Sequence, residues 1–84
     1  MKVSTQEALE KITKFLERWY PPEIAPHVVS TQVRMLGIDV SELTEKDIKF
    51  LLSRLETVVL PTYMEESEAK LEIRKIKREL GISY

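Results

Sequence analysis

The chain lacks several residues on which small catalytic and metal-binding domains depend. Its 84 residues include no cysteine, no asparagine, one histidine and two glycines. Without cysteine there are no disulfides, no thiolate metal ligands and no cysteine nucleophile. Stability must therefore come from packing, or from association with another chain.

Long apolar segments are also missing. No apolar run exceeds four residues, and the N-terminal stretch does not resemble a signal peptide. We therefore expect a cytoplasmic protein with no membrane association. The scarcity of cysteine, asparagine and glutamine beside plentiful Glu and Lys is typical of heat-adapted proteins and suggests a thermophilic source.

Neither sign of charge dominates. Thirteen Lys and Arg are balanced by fourteen Asp and Glu, giving a formal net charge of -1 at pH 7. Proteins that bind nucleic acid usually carry a positive excess, because neutralising phosphates supplies much of their affinity. The balance disfavours that class, although it leaves room for a local basic patch.

What the chain does have is an unusual joint. Three of the four prolines, the only tryptophan and the only histidine lie between Trp19 and His27. Proline restricts its own backbone and that of the preceding residue, which predicts a proline-rich joint at 20–25. Of the residues in the joint, Tyr20 is the one with no evident structural role. A functional role for the joint would combine Tyr20 with a polar stripe of three residues, His27, Thr31 and Arg34.

A helix is predicted on the N-terminal side of the joint. Ser4 and Glu7 have the spacing of an N-terminal capping box, and apolar residues then recur at helical spacing as far as Trp19. This pattern predicts a first helix near residues 5–19.

A second helix is predicted after the joint. Pro26 suits a first helical position and Gly37 suits a left-handed C-terminal cap, which predicts a helix near residues 26–36. A start at Pro22 with a kink at Pro26 is the alternative.

The third helix begins at a second capping pattern, Thr44 to Asp47, and is predicted near residues 45–60. One apolar stripe marks it: Ile48, Leu51, Leu52, Leu55, Val58 and Val59. The connector at 38–44 should be pinned to the core by its apolar members, Ile38, Val40 and Leu43.

The fourth helix is predicted near residues 62–80, between Pro61 and Gly81, with an acidic start and a basic end that complement the helix dipole. Its apolar seam is narrow: Ala69, Ile73, Ile76 and Leu80. The four segments predict an all-α fold, a compact bundle of four helices in a single domain spanning 1–84. Short connectors favour an up-and-down arrangement, whereas the 38–44 connector permits crossed packing.

Catalytic and metal-binding patterns are not found. A lone histidine without a neighbouring nucleophile does not make a triad, and His27 has only Glu23 at helical spacing as a second metal ligand. The acidic stretch from Asp39 lacks the glycine and the terminal glutamate of a calcium loop. We expect no catalytic, metal or cofactor site, and hence no enzymatic activity.

A helix-turn-helix for DNA is also disfavoured. The connector after Gly37 is too long for the usual tight turn, and the following helix opens on Thr-Glu-Lys-Asp. A basic cluster on the last helix could still contact phosphates: Arg74, Lys75, Lys77 and Arg78.

Several apolar residues lie off the predicted core stripes. They are Tyr20, Phe50, Met64 and Leu71, with Ile82 beyond the last helix. They are single surface residues, or they close the bundle from a second side, or the first four contribute to a contact surface, where aromatics and methionine are enriched.

A wide apolar arc on the second helix should face the core, and its members are Val28, Val29, Val33, Met35 and Leu36. Gln32 projects from the middle of this arc, so we expect its amide to be buried. Within one chain its partner would be a backbone carbonyl, Tyr63 or Trp19. In a subunit interface it would instead select the register of association.

Two functional classes follow from these patterns. The first is a small non-catalytic protein-interaction module, either a homodimer or an accessory subunit of a larger complex. The alternative is a nucleic-acid-associated protein that uses the basic face of the C-terminal helix.

Overall fold

Four α-helices account for most of residues 1–82, the part of the chain that a computed structural model describes. They are α1 (Thr5–Leu16), α2 (Ala25–Met35), α3 (Glu45–Arg54) and α4 (Glu66–Leu80). No strand occurs within the described residues. The prediction of an all-α bundle of four helices is confirmed.

Both predicted N-terminal caps form, but only the second is a reciprocal capping box. Oγ of Ser4 accepts a 3.1 Å hydrogen bond from the backbone N–H of Glu7. Thr44 and Asp47 make the reciprocal pair, in which each side chain accepts from the other residue's backbone N–H at 3.3 and 3.0 Å. These bonds satisfy N–H groups that the first turn of a helix leaves without partners, which is why α1 and α3 begin where the sequence indicates.

The first helix ends three residues earlier than predicted, at Leu16 instead of Trp19. After Leu16 the backbone tightens, and the N–H of Glu17, Arg18 and Trp19 each bonds to the carbonyl three residues before it. The two prolines that follow supply no N–H to extend the helix, so its end winds into a turn. The joint then passes through a turn at 22–24 into α2, which begins and ends one residue earlier than predicted and so has Pro26 at its second position instead of its first.

The third helix is interrupted before its predicted end at residue 60. α3 continues into a π turn, Leu55–Val59, and a 3₁₀ turn, Leu60–Thr62. The π turn is closed by a bond from the N–H of Leu60 to the carbonyl of Leu55.

Two local causes account for this interruption. The hydroxyl of Thr57 donates to the carbonyl of Ser53 at 2.9 Å and so competes with the α-helical ladder. Pro61 has no N–H with which to continue it. The wider turn changes which residues face the core: Val59 and Leu60 are buried, whereas Val58 is 48% exposed. Placing Val58 on the core stripe was therefore wrong.

The fourth helix begins at Glu66, later than the predicted residue 62. Pro61 belongs to the preceding 3₁₀ turn, and Glu65 has an extended backbone that serves as the N-cap. The predicted seam of α4 is buried as expected. None of the helices within residues 1–82 has the length and apolar composition needed to cross a bilayer.

The core is a single cluster in which α1 contacts each of the other three helices. Its fully buried large side chains come from every helix and from the π and 3₁₀ turns: Ile12, Leu16, Val33, Ile48, Leu51, Leu52, Leu55, Leu60, Ile73 and Leu80. In the connector Leu43 is buried and Ile38 packs against the core, but Val40 is exposed, so its predicted anchoring role was wrong.

Candidate functional site

A polar link joins α2 to α3 at the edge of the core. Nε of Arg54 donates a 2.7 Å hydrogen bond to Oε1 of Gln32, which is 9% exposed. The predicted burial of Gln32 is confirmed, and its oxygen is satisfied within one chain. We predicted Tyr63, Trp19 or a backbone carbonyl as its partner, but the structure shows Arg54 instead.

Exposed apolar side chains lie around this link. Met35 is 63% exposed, and its Sδ is 3.8 Å from Nη2 of Arg54. Phe50 and Val58 precede and follow Arg54 by four residues along α3 and the π turn, and each is 48% exposed. We call Met35, Phe50, Arg54 and Val58 the α2–α3 surface.

Phe50 is the sequence candidate that this surface includes, whereas Met35 and Val58 were predicted to face the core. Met35 is exposed although α2 packs against both α1 and α3, and its sulfur contacts Arg54 of α3. The four-residue spacing of Lys46, Phe50 and Arg54 was a usable sequence signal for a shared face.

An open groove continues the α2–α3 surface towards the proline joint. It has a volume of about 360 Å³, and its lining includes Val28, Thr31, Gln32 and Val58. Tyr20 and His27 line it at the joint, so the structure brings together three of the four residues proposed for a role there. Arg34 is exposed on α2 and does not line this groove.

Tyr20 is half-buried and packs edge-on against Tyr63, with ring centroids 5.3 Å apart. Burial is the largest cause that raises the pKa of Tyr20 to about 12, and the neighbouring Tyr63 hydroxyl adds to it. Burial and the contact with Tyr63 thus both stabilise the protonated phenol.

The remaining apolar candidates do not form one patch. Met64 is partly buried against the core and Ile82 is buried, which agrees with the alternative that these two residues close the bundle from a second side. Leu71 is 53% exposed, but it lies on α4, which packs on α1 and the turns after α3. It therefore lies on a different helix from the residues of the α2–α3 surface.

The basic cluster on α4 is spread around the helix. At 3.6 residues per turn, Arg74, Lys75, Lys77 and Arg78 cover about 160° of its circumference. Nζ of Lys75 pairs with Glu72 at 3.4 Å, and Arg18 of α1 pairs with the same carboxylate. Lys75 therefore belongs to a charge cluster that links α4 to α1 through Glu72.

A second open groove, of about 910 Å³, runs between α1 and the turn at 39–41. Its charges are mixed: Glu10, Glu17 and Asp39 face it together with Lys14. The carboxylate of Asp39 accepts from the backbone N–H and the hydroxyl of Ser41, at 2.9 and 2.8 Å, so it is occupied in holding the turn. Nothing in this groove converges on a ligand.

Within residues 1–82 no three His, Asp or Glu side chains lie close enough together to hold a metal ion. No protein-family model matches the chain, nor does any curated protein or solved structure. The case for the α2–α3 surface therefore rests on its own geometry.

Proposed function

We propose that the chain is a non-catalytic protein-interaction module, a homodimer or an accessory subunit, that contacts its partner through the α2–α3 surface. The observation that carries this proposal is the grouping of Met35, Phe50 and Val58 around the partly buried Arg54. The cytoplasmic location remains a prediction from the sequence.

The composition of the surface supports this function. Methionine, aromatic residues and arginine are enriched in the centres of protein interfaces, where apolar side chains lose water and arginine forms directional hydrogen bonds. A valine turned outward by an irregular helical turn adds to this case, because π turns are frequent at functional sites.

Site-specific photo-crosslinking in cells of the source organism tests the function. A benzophenone side chain at position 58 should give one discrete covalent adduct, and Phe50→Ser in the same chain should abolish it. The same group at position 71, an equally exposed site on α4, should give none. Adducts of equal yield at both positions, or none at position 58, would contradict the proposal.

Light scattering at two protein concentrations separates the homodimer from the accessory subunit. A mass of two chains that Phe50→Ser reduces to one identifies a homodimer. Salt-sensitive retention on heparin or DNA, lost when the basic residues of α4 are neutralised, would instead favour the nucleic-acid alternative.

A further inference from the structure

We propose that the α2–α3 surface binds an acidic amphipathic helix of a different protein and not a second copy of this chain. This inference rests on the interaction function proposed above and names the chemistry of the partner. It is carried by the charges that surround the apolar side chains.

Arg54 is a partly buried cation whose hydrogen-bonding neighbours are both neutral. Its Nε bonds to the Gln32 amide oxygen and its Nη2 lies beside the Met35 sulfur, and no ion pair within residues 1–82 includes it. A buried charge normally has a charged partner. The Nε bond fixes the plane of the guanidinium, so the Nη donors are oriented for a carboxylate brought by another molecule.

A second cation flanks the same apolar strip. Nζ of Lys46 lies 5.9 Å from the centroid of the Phe50 ring. Asp47 lies on the same side of α3, where its Oδ2 accepts a bond from the N–H of Thr44 and the carboxylate keeps its charge, so the two cations outnumber it. Glu45 projects from the opposite side of α3, about 180° around the helix from Arg54.

This charge distribution decides between the two kinds of partner. A twofold dimer would set the surface against a copy of itself, so that the Lys46 and Arg54 of each chain would meet like charges and share one carboxylate, Asp47. A partner with acidic residues beside an apolar stripe would pair both cations and cover Met35, Phe50 and Val58.

The shape of the surface fits a helix. Val28 and Thr31 of the adjoining open groove and Met35 of the surface recur along α2 at three- and four-residue spacing, over about 10 Å. An amphipathic helix can lie along such a face with anchors at matching intervals, so two to three turns of partner helix suffice.

Two synthetic helical peptides test this partner chemistry against the full chain. Both carry the same leucine stripe, one flanked by glutamates and the other by lysines, and binding is followed by fluorescence anisotropy and by amide chemical shifts. We expect the acidic peptide to bind at least about tenfold more tightly and to shift resonances of α2 and α3.

Point variants test which residues of the chain bind the acidic peptide. Phe50→Ser and the charge reversal Lys46→Glu should each weaken binding of the acidic peptide about tenfold, and Lys46→Glu should also improve binding of the lysine peptide. Both side chains are exposed, so the fold should survive. Leu71→Ser, at an equally exposed apolar site on α4, should leave both affinities unchanged.

Equal affinity for the two peptides, shifts confined to α1 and α4, or displacement of the acidic peptide by a DNA oligonucleotide would overturn the inference. A dimer that Phe50→Ser disrupts would overturn it too. If neither peptide binds but the crosslink at position 58 still depends on Phe50, the proposed interaction function stands and only the acidic nature of the partner is rejected. If position 58 gives no adduct, the function itself fails.

Discussion

The hydrogen bond between Nε of Arg54 and Oε1 of Gln32 links α2 to α3 at the boundary between the core and the surface. Gln32 is the only buried polar residue within residues 1–82. The bond therefore has two roles, since it satisfies a buried amide oxygen and orients the guanidinium on the α2–α3 surface.

A double-mutant cycle measures this bond. Gln32→Leu and Arg54→Met each break it, and the double variant removes both polar groups. We expect a coupling energy of about 1–2 kcal/mol in the free energy of unfolding, measured with urea, because the bond involves a charged donor and a buried acceptor. Additive effects would contradict it. The mass of Gln32→Leu in solution should equal that of the wild type, since both partners belong to one chain.

Because of the π turn after α3, truncation to alanine should destabilise the protein much more at Val59 than at the adjacent Val58. Val59 is 6% exposed, so Val59→Ala should lower the free energy of unfolding by about 2 kcal/mol through lost apolar contacts and a cavity. Val58→Ala should change it by less than about 0.5 kcal/mol, because that side chain faces solvent. Equal losses in denaturant melts would indicate the regular α-helix that the sequence pattern predicted.

The features that could be predicted from the sequence are those that depend on residues close together in it. Caps at Ser4 and Thr44 were predictable because each depends on residues three positions apart. The exposure of Val58 was not predictable, since it depends on competition between the Thr57 hydroxyl and the helix backbone near Pro61. Periodicity assumes an unbroken helix and cannot register that competition.

The candidate site was predictable only in part, for a related reason. Phe50 lay off its helical stripe, which was visible in the sequence. The partnership of Gln32 with Arg54 joins residues 22 positions apart and depends on how α2 and α3 pack. Met35 belongs to an apolar arc on α2 that is wider than α1 and α3 can cover. Only the packing of the helices shows which edge of the arc remains exposed to solvent.

The two helix-ending glycines should differ in their tolerance of alanine. Both have a left-handed backbone, with φ of +73° at Gly37 and +75° at Gly81. A Cβ at Gly81 would also lie 2.6 Å from Cγ and 2.9 Å from the backbone nitrogen of Lys2, whereas at Gly37 it would meet open space. We expect Gly37→Ala to cost about 1 kcal/mol and Gly81→Ala clearly more, from thermal or urea unfolding. Equal costs would show that the contact with Lys2 contributes nothing.

Tyr20 should make stability fall at high pH. Its pKa is raised to about 12, against about 10 in an unfolded chain, so the unfolded state releases the proton first. The stabilising contribution is complete below about pH 10 and is lost as the pH rises towards 12. Tyr20→Phe should lessen that decline and remove the last-titrating component of the phenolate absorbance. Lysines titrate in the same range, so the difference between the two proteins is the measurement, and identical pH profiles would contradict this assignment.

Glu72 should affect stability at the acidic end. Partial burial alone would raise its pKa, but hydrogen bonds from Arg18 and Lys75 outweigh burial, and the pKa is lowered. The folded carboxylate thus holds a proton less tightly than the unfolded one. Its contribution is complete above about pH 4.3, the ordinary glutamate value, and is lost as the pH falls further.

Glu72→Gln should therefore be less stable than the wild type at neutral pH by about 0.5–1 kcal/mol, a modest loss because Arg18 and Lys75 are largely exposed. The difference should shrink as the pH is lowered below about 4, and it should also shrink in high salt, which screens exposed ion pairs. Glu68→Gln, an exposed site on the same helix, serves as the control and should show a smaller effect of pH. A difference for Glu72→Gln that stays constant from neutral to acidic pH would show that the loss comes from packing, and that the link between α1 and α4 is not electrostatic.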